Sequence, residues 1–370
     1  MDSKRRTILK LGLLSGGAAV SGLAPNLGIS GIKAKSSGTS LRILILGGTG
    51  FIGPHMVHEA LRRGHEVTLF NRGRTNKDLF PNLETLIGDR NNGLDSLKGH
   101  QWDVVIDNSG YIPRHVADSA RLLSSAASHY VYISTISTYA SLAKPTNEDS
   151  PLAQISDETI EDITSETYGP LKALCEKKAA EEFGKERLTI LRPAYICGPG
   201  DHTDRYSYWP VRTMRGGKMV WPGTPKDKIQ IIDVRDLANF TNDVLSKKIL
   251  GIYNTVTPAG LFTMGDLLQD CLDASNSNMQ PIWMNYPYIK SQIEGENVFP
   301  IWAPPLPKYA GDAMVSGERA VDKGLINRPT KYTARDTIEW WKTLPPERTK
   351  SLRAGPSIEL EKSLLDNWHT

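Results

Sequence analysis

Leu41-Arg42-Ile43-Leu44-Ile45-Leu46-Gly47-Gly48-Thr49-Gly50-Phe51-Ile52-Gly53 is the stretch on which the reading of this chain turns. The apolar run Leu41 to Leu46 is too short for a buried helix and stops at glycine, so it reads as a buried strand. The residues from His55 to Arg63 then carry a helical pattern. Gly47, Gly50 and Gly53 recur at every third position between the two. Glycine lets the backbone turn sharply and approach a ligand closely, and the following helix presents unpaired N–H groups at its start. A strand, a glycine turn and a helix in that order seat the pyrophosphate of a dinucleotide, with Thr49, Phe51 and Ile52 completing the loop.

Working outward, strand-like runs recur at Val67–Phe70, Val104–Ile106, Tyr130–Ile133 and Leu188–Leu191, and again at Ile229–Asn239 and Gly251–Val256. Helical patterns fall between them, at Val116–Ala127 and Leu171–Phe183. Strands alternating with helices predict an α/β fold with a doubly wound parallel sheet. From about Asp201 the texture changes. Residues 201–226 and 280–312 are rich in Trp, Tyr, Pro and Gly, which predicts a smaller C-terminal substrate-binding lobe. The expected boundaries are 39–200 plus 229–258 for the nucleotide-binding part and 201–228 plus 259–370 for the lobe. The aromatics there either stack on sugar rings or simply pack that lobe.

The second strand ends in Asn71-Arg72-Gly73-Arg74. An acid about twenty residues beyond the glycine loop usually holds the ribose hydroxyls of NAD. Asn71 stands there instead, and Arg72 and Arg74 either meet a 2′-phosphate or are solvated loop charges, so NAD and NADP both remain open. Asp89 follows the third strand within reach of an adenine amino group. Tyr168 and Lys172 are four residues apart, hence on one helical face. A neighbouring ammonium lowers a phenol's pKa, so Tyr168 could exchange a proton with a substrate hydroxyl. Pro170 between them is tolerated only near a helix start, which places that start close to Tyr168.

The order Gly-Gly-Thr-Gly-Phe-Ile-Gly, Ile133-Ser134-Thr135 before Tyr139, Tyr168-x-x-x-Lys172, and Leu191-Arg192-Pro193 before Gly198-Pro199-Gly200-Asp201 resembles the extended short-chain dehydrogenase/reductase family, the NAD-dependent epimerase/dehydratase group. The likeness spans roughly Leu41 to Val256. It implies a Rossmann fold and a hydroxyl–tyrosine–lysine triad of Thr135, Tyr168 and Lys172, with Ser134 and Ser137 as competing hydroxyls. Arg192, Pro193, Ala194 and Tyr195 would line nicotinamide and sugar, and Asp233 to Ala238 resembles the family's late strand-to-helix turn. A homodimer through a four-helix contact is common in such proteins. Sugar 4,6-dehydratases of the group carry an acid just after the threonine, and Ile136 and Ser137 stand there, which disfavours that reaction. Some chloroplast relatives with a similar Asn-Arg-Gly bind RNA and others sense cofactor without catalysis, a second reading for this chain, and an ordinary NAD(P)H-dependent reductase is a third.

Composition bounds the rest. With 39% hydrophobic and 23% charged residues among 370, the chain is globular and long enough for two domains. Cys175, Cys197 and Cys271 are too few for a disulfide framework, and the eight histidines show no metal-ligand spacing. His202 beside Asp201 either touches substrate or is solvated. Residues 1–38 hold six basic residues and one acid, so the net +3 of the whole chain leaves about −2 for the remainder. The basicity that hints at nucleic acid therefore belongs to this segment. Arg5-Arg6-Thr7-Ile8-Leu9-Lys10 before an uncharged run resembles a twin-arginine export signal, too short and polar for a stable membrane anchor. That implies passage through the twin-arginine translocation machinery to the periplasm. No nicotinamide pool is at hand there, so the expected enzyme holds its cofactor tightly and acts redox-neutrally on a carbohydrate.

Overall fold

A computed structural model describes residues 40–368; the expected signal segment and most of its linker lie outside the described residues. Seven parallel strands form the main sheet: β1 (Arg42–Leu46), β2 (Glu66–Asn71), β3 (Glu84–Ile87), β4 (Val104–Asp107), β5 (His129–Ile133), β6 (Leu188–Pro193) and, after three outlying strands, β10 (Gly251–Thr255). Their order is β3-β2-β1-β4-β5-β6-β10. The winding reverses between β1 and β4, which opens a crevice at the carboxyl ends of those strands.

The period-two character of β1 shows why the sheet is covered on both faces. Ile43 and Ile45 pack with Met56, Val57 and Ala60 of α1 (Ile52–Arg62), while Leu44 and Leu46 face the other way. That second face receives Val116, Ala120 and Leu123 of α2 (Pro113–Leu123) and Cys175 and Ala179 of α3 (Tyr168–Ala179). All four β1 side chains are fully buried, as a parallel sheet sandwiched between helices requires. As Pro170 predicts, α3 begins at Tyr168.

Ile229–Asn239 does not form the strand expected of it. Only β9 (Ile231–Asp233) is extended, pairing with β7 (Tyr195–Cys197) rather than the main sheet. The Asp233 carboxylate accepts from the Arg235 amide at 2.8 Å and caps a helix from Val234 to Lys247. An aspartate before an amphipathic run is an N-cap signal that outweighs the local β-branched content.

Most of the tryptophans and tyrosines serve packing. Tyr206, Tyr208, Trp209, Trp221 and Trp302 are buried in a second hydrophobic cluster, with Trp209 and Trp221 rings 4.7 Å apart. It is built around β8 (Lys218–Pro222), which pairs with β11 (Gln280–Met284), and is closed by the C-terminal helix Ile358–Asp366 through Leu364. Among the described residues no helix is long and apolar enough to cross a membrane.

One buried polar network ties the helix starting at Tyr168 to the sheet. Arg192 on β6 donates to Glu176 on α3 at 2.9 Å and 2.6 Å, with the two side chains 1% and 3% exposed. Ser134, at the end of β5, donates to the same carboxylate at 2.5 Å, and Arg192 also reaches Tyr139 at 3.2 Å. Tyr139 in turn donates to Asn254 of β10 at 2.6 Å. Arg192→Met leaves Glu176 buried without a cation, so it is expected to cost about 3–5 kcal/mol in urea unfolding. The double substitution Glu176→Met/Arg192→Met should recover most of that loss; equal losses in the single and double variants would refute the pairing argument.

Candidate functional site

At the end of β1 the chain turns at Gly47 with φ +91, where a side chain would crowd Asn108 and Ser109 at 2.6 and 2.7 Å. Gly53, in the first turn of α1, presses on the loop: a Cβ there would stand 2.5 Å from the Gly47 carbonyl oxygen. Gly50 differs, since a Cβ at that position meets nothing within 4 Å. Thr49 is buried and its carbonyl accepts from the Asn76 side chain at 3.0 Å, fixing the loop from the far side. No side chain caps α1 and no acid stands in its first turn. A cradle open at Gly50, with unclaimed helix amides, fits the pyrophosphate of a dinucleotide. Phe51 and Ile52 are half-buried beside it, with the Phe51 ring 6.4 Å from both His55 and His202.

The β2 end is arranged differently from an NAD ribose acid. Asn71 spends its side-chain oxygen on the Gly73 amide at 2.7 Å, shaping the turn. Arg72 and Arg74 are exposed, and neither makes a hydrogen bond or ion pair among the described residues. Asp89 accepts from the Asn91 amide at 2.9 Å. Its neighbour Arg90, unremarked in the sequence, is buried and donates to Asp107 at the end of β4 at 2.5 and 2.8 Å.

Thr135 follows β5 and accepts from the Ser137 amide at 3.2 Å, so its hydroxyl stands at the strand end. Ser134 is committed to Glu176, which leaves Thr135 and the exposed Ser137 as the hydroxyls beside Tyr168. Lys172 is buried and donates to the Gly110 and Ile133 carbonyls at 2.7 and 2.8 Å, with Nζ 4.2 Å from the Tyr132 ring centre. Desolvation pushes this lysine down to about 8. The ammonium is thus held at the ends of β4 and β5, one helical turn from Tyr168. Burial raises the Tyr168 phenol above its ordinary value, and the influences that pull it back are the Arg205 charge and a hydrogen bond from Thr135.

Of the expected lining residues Arg192, Pro193 and Ala194, Arg192 is turned to another partner. All three are buried in β6 and the bend beyond it, with Arg192 facing Glu176, because β6 is an interior strand of the sheet. Tyr195 alone of the four is part-exposed. Around it stand groups that sequence reasoning missed. Tyr111, 41% exposed, lies over Lys172 with Nζ 5.2 Å from its ring centre. Arg205 stands over the Tyr195 ring at 5.4 Å. Asp312 faces Tyr195 without a side-chain partner among the described residues, and desolvation pushes it up to about 6. No local pattern marks these residues; they meet because segments far apart in sequence converge on the strand ends. His202 is exposed on the loop over Phe51, and its backbone carbonyl accepts from Arg353 at 2.9 Å.

Ionising Asp312 opposes folding, because its folded-state value of about 6 exceeds the ordinary carboxylate value of 3.8. The stability it contributes is full below about pH 4 and is lost as pH rises through about 6. Asp312→Asn is therefore expected to be more stable than the parent at pH 7.5 by roughly 2 kcal/mol and no more stable at pH 4. Urea unfolding at the two pH values tests this, and an equal effect at both rejects it.

Residues 43–254 match the NAD dependent epimerase/dehydratase family. Among curated relatives, the chloroplast stem-loop binding protein of 41 kDa b from Arabidopsis thaliana is 26% identical over 231 residues, 58% of this chain and 57% of that protein. The chain thus spans less than two thirds of that relative's length. Among solved structures, Bordetella bronchiseptica WbmG in complex with NAD and UDP is 16% identical with a TM-score of 0.59, covering 82% of this chain and 96% of that one. Thermus thermophilus UDP-glucose 4-epimerase in complex with NAD is 18% identical with a TM-score of 0.55, covering 82% and 100%. These structures share the fold, and the family match spans the glycine cradle, Thr135, Tyr168 and Lys172. The chain belongs to the NAD dependent epimerase/dehydratase family.

Proposed function

We propose that this chain holds NAD or NADP tightly between β1 and α1 and epimerises a carbohydrate through a transient keto sugar, with no net oxidation. The observation that carries this reading is the continuity of the site across three strand ends. Gly47 abuts Ser109, Gly110 binds Lys172, and Lys172 lies one turn from Tyr168, which faces Thr135. A cofactor on the glycine cradle and a hydroxyl at Tyr168 would therefore share one crevice. Gly47, Thr49, Gly50, Phe51, Ile52 and Gly53 would hold the pyrophosphate, Asn71, Arg72 and Asp89 would face the adenosine, and Tyr195 would border the nicotinamide. The two unpaired arginines at the end of β2 suit a 2′-phosphate, while the two solved structures cited above hold NAD.

A bound nicotinamide supplies a hydride acceptor and donor. The protein's own part is proton transfer: the Tyr168 oxygen takes the proton of the substrate hydroxyl as a carbonyl forms there, and returns it in the reverse step. Thr135 would border that phenol, and Lys172 keeps a positive charge pinned between β4 and β5. Absence of an acid at Ile136 and Ser137 supports epimerisation over dehydration. The twin-arginine-like segment supports export to the periplasm, where nucleotide sugars are scarce and a free or glycosidic sugar is the better-suited substrate. The name of the Arabidopsis relative favours a second reading, binding to a nucleic-acid stem-loop. Affinity in that case would fall steeply with salt and would not need Tyr168.

Mass spectrometry of the native protein should find a co-purifying nicotinamide nucleotide; cofactor-free protein exchanging NAD freely refutes tight binding. Tyr168→Phe should lower turnover by about 10²–10⁴-fold without loss of cofactor affinity. Gly50→Ala should fold normally, since its Cβ meets no protein atom, yet bind the nucleotide at least tenfold more weakly, by roughly the ordinary cost of a steric mismatch at a phosphate. Unchanged affinity in that variant places the pyrophosphate elsewhere.

A further inference from the structure

Arg205 is built into the crevice in a way that ordinary surface arginines are not. The carboxylate of Asp201, fully buried, accepts from the Thr203 amide at 2.9 Å and its hydroxyl at 2.5 Å. Asp204, also fully buried, adopts φ +61 and accepts from the Arg353 amide at 2.8 Å and from the Arg348 guanidinium. A non-glycine residue in the left-handed region is held there by its surroundings at an energetic cost. Two buried carboxylates thus clamp a four-residue loop whose next side chain, Arg205, is left exposed.

The Arg205 guanidinium has no carboxylate partner among the described residues. Its Nε donates to Thr203 at 3.2 Å, and neither terminal nitrogen makes a hydrogen bond. Four arginines of the surrounding segments are paired, Arg90 with Asp107, Arg192 with Glu176, Arg235 with Asp233 and Asp336, and Arg348 with Asp204; Arg72 and Arg74, at the far β2 end, share the unpaired state of Arg205. Arg205 instead stands over Tyr195 and acts on Tyr111 and Tyr168, so its charge is directed at the position where a substrate would meet the phenol.

We propose that Arg205 is a specificity-determining residue that docks an oxyanion of the substrate, a carboxylate or a phosphate, so that the substrate is an anionic sugar. This rests on the functional reading above and names the substrate class for it. A planar fork with two free N–H edges matches the two oxygens of a carboxylate or phosphate. Asp312, the other charged group acting on Tyr195, repels that anion. An uncharged sugar would leave the guanidinium to water and gain nothing from the clamped loop.

Calorimetric titration of the full-length, NAD-loaded protein with D-glucose, D-glucuronate and glucose 1-phosphate tests the assignment. At least one anionic probe should bind about tenfold or more tightly than D-glucose, the range of a charge-assisted hydrogen bond. D-glucuronate ahead identifies a carboxylate, and glucose 1-phosphate ahead identifies a phosphate. Arg205→Gln should abolish the preference and Arg205→Lys should retain part of it, since the charge survives and the fork does not. No preference for either anion, or equal weakening of all three probes in Arg205→Gln, overturns the proposal. Anion preference in a protein that fails to bind NAD supports Arg205 and overturns the functional reading instead.

Discussion

The bidentate pair between Glu176 and Arg192 is the contact on which the candidate site depends. Both side chains are almost inaccessible to water, so the cost of desolvating each is recovered through the other, with Ser134 on the carboxylate and Tyr139 and the Glu148 carbonyl on the guanidinium. Glu176 lies one turn beyond Lys172 and two beyond Tyr168. Fixing it to β6 and to the end of β5 therefore fixes the rotation of α3 about its axis, and with it the direction of the phenol. An apolar contact of the same size would tolerate sliding and rotation; a fork of two N–H groups on two oxygens does not.

Around that fixed helix the site divides its cations. Lys172 is consumed by two carbonyls and by burial, and it acts as a strut between β4 and β5. Arg205 comes from the loop after β7 and stands over the Tyr195 ring, and its charge also draws the Tyr168 phenol down. The two cations stand 33 positions apart in the chain. The loop that brings Arg205 also lies over the cofactor cradle, since His55 bonds the Pro199 carbonyl at 2.9 Å and His202 meets Phe51. The C-terminal segment holds the loop down through Arg348 and Arg353.

Much of this was legible in the chain because the signals are local. The six-residue apolar run ending in Gly47 reads as a strand because β1 is buried on both faces. The helix start at Tyr168 reads from Pro170, whose ring fits only a first turn. Ile229–Asn239 misled because its isoleucines and valine favour extended backbone, while the Asp233 side chain captures the Arg235 amide and starts a helix. The aromatic segments could not be resolved between sugar stacking and packing from composition; burial of Tyr206, Tyr208, Trp209, Trp221 and Trp302 settles those five as core.

By itself, then, the sequence determined the doubly wound sheet, the glycine cradle, and the placing of Tyr168 and Lys172 on one helical face. Each follows from periodicity, from glycine's lack of a Cβ, or from residues a few positions apart. Only the tertiary structure decided that Arg192 faces inward to Glu176, that Lys172 binds carbonyls, and that Arg205, Tyr111 and Asp312 border the crevice. Those outcomes depend on which partners meet across long loops, and on the cost of leaving a buried charge or carbonyl unpaired once they do. No local pattern encodes that cost.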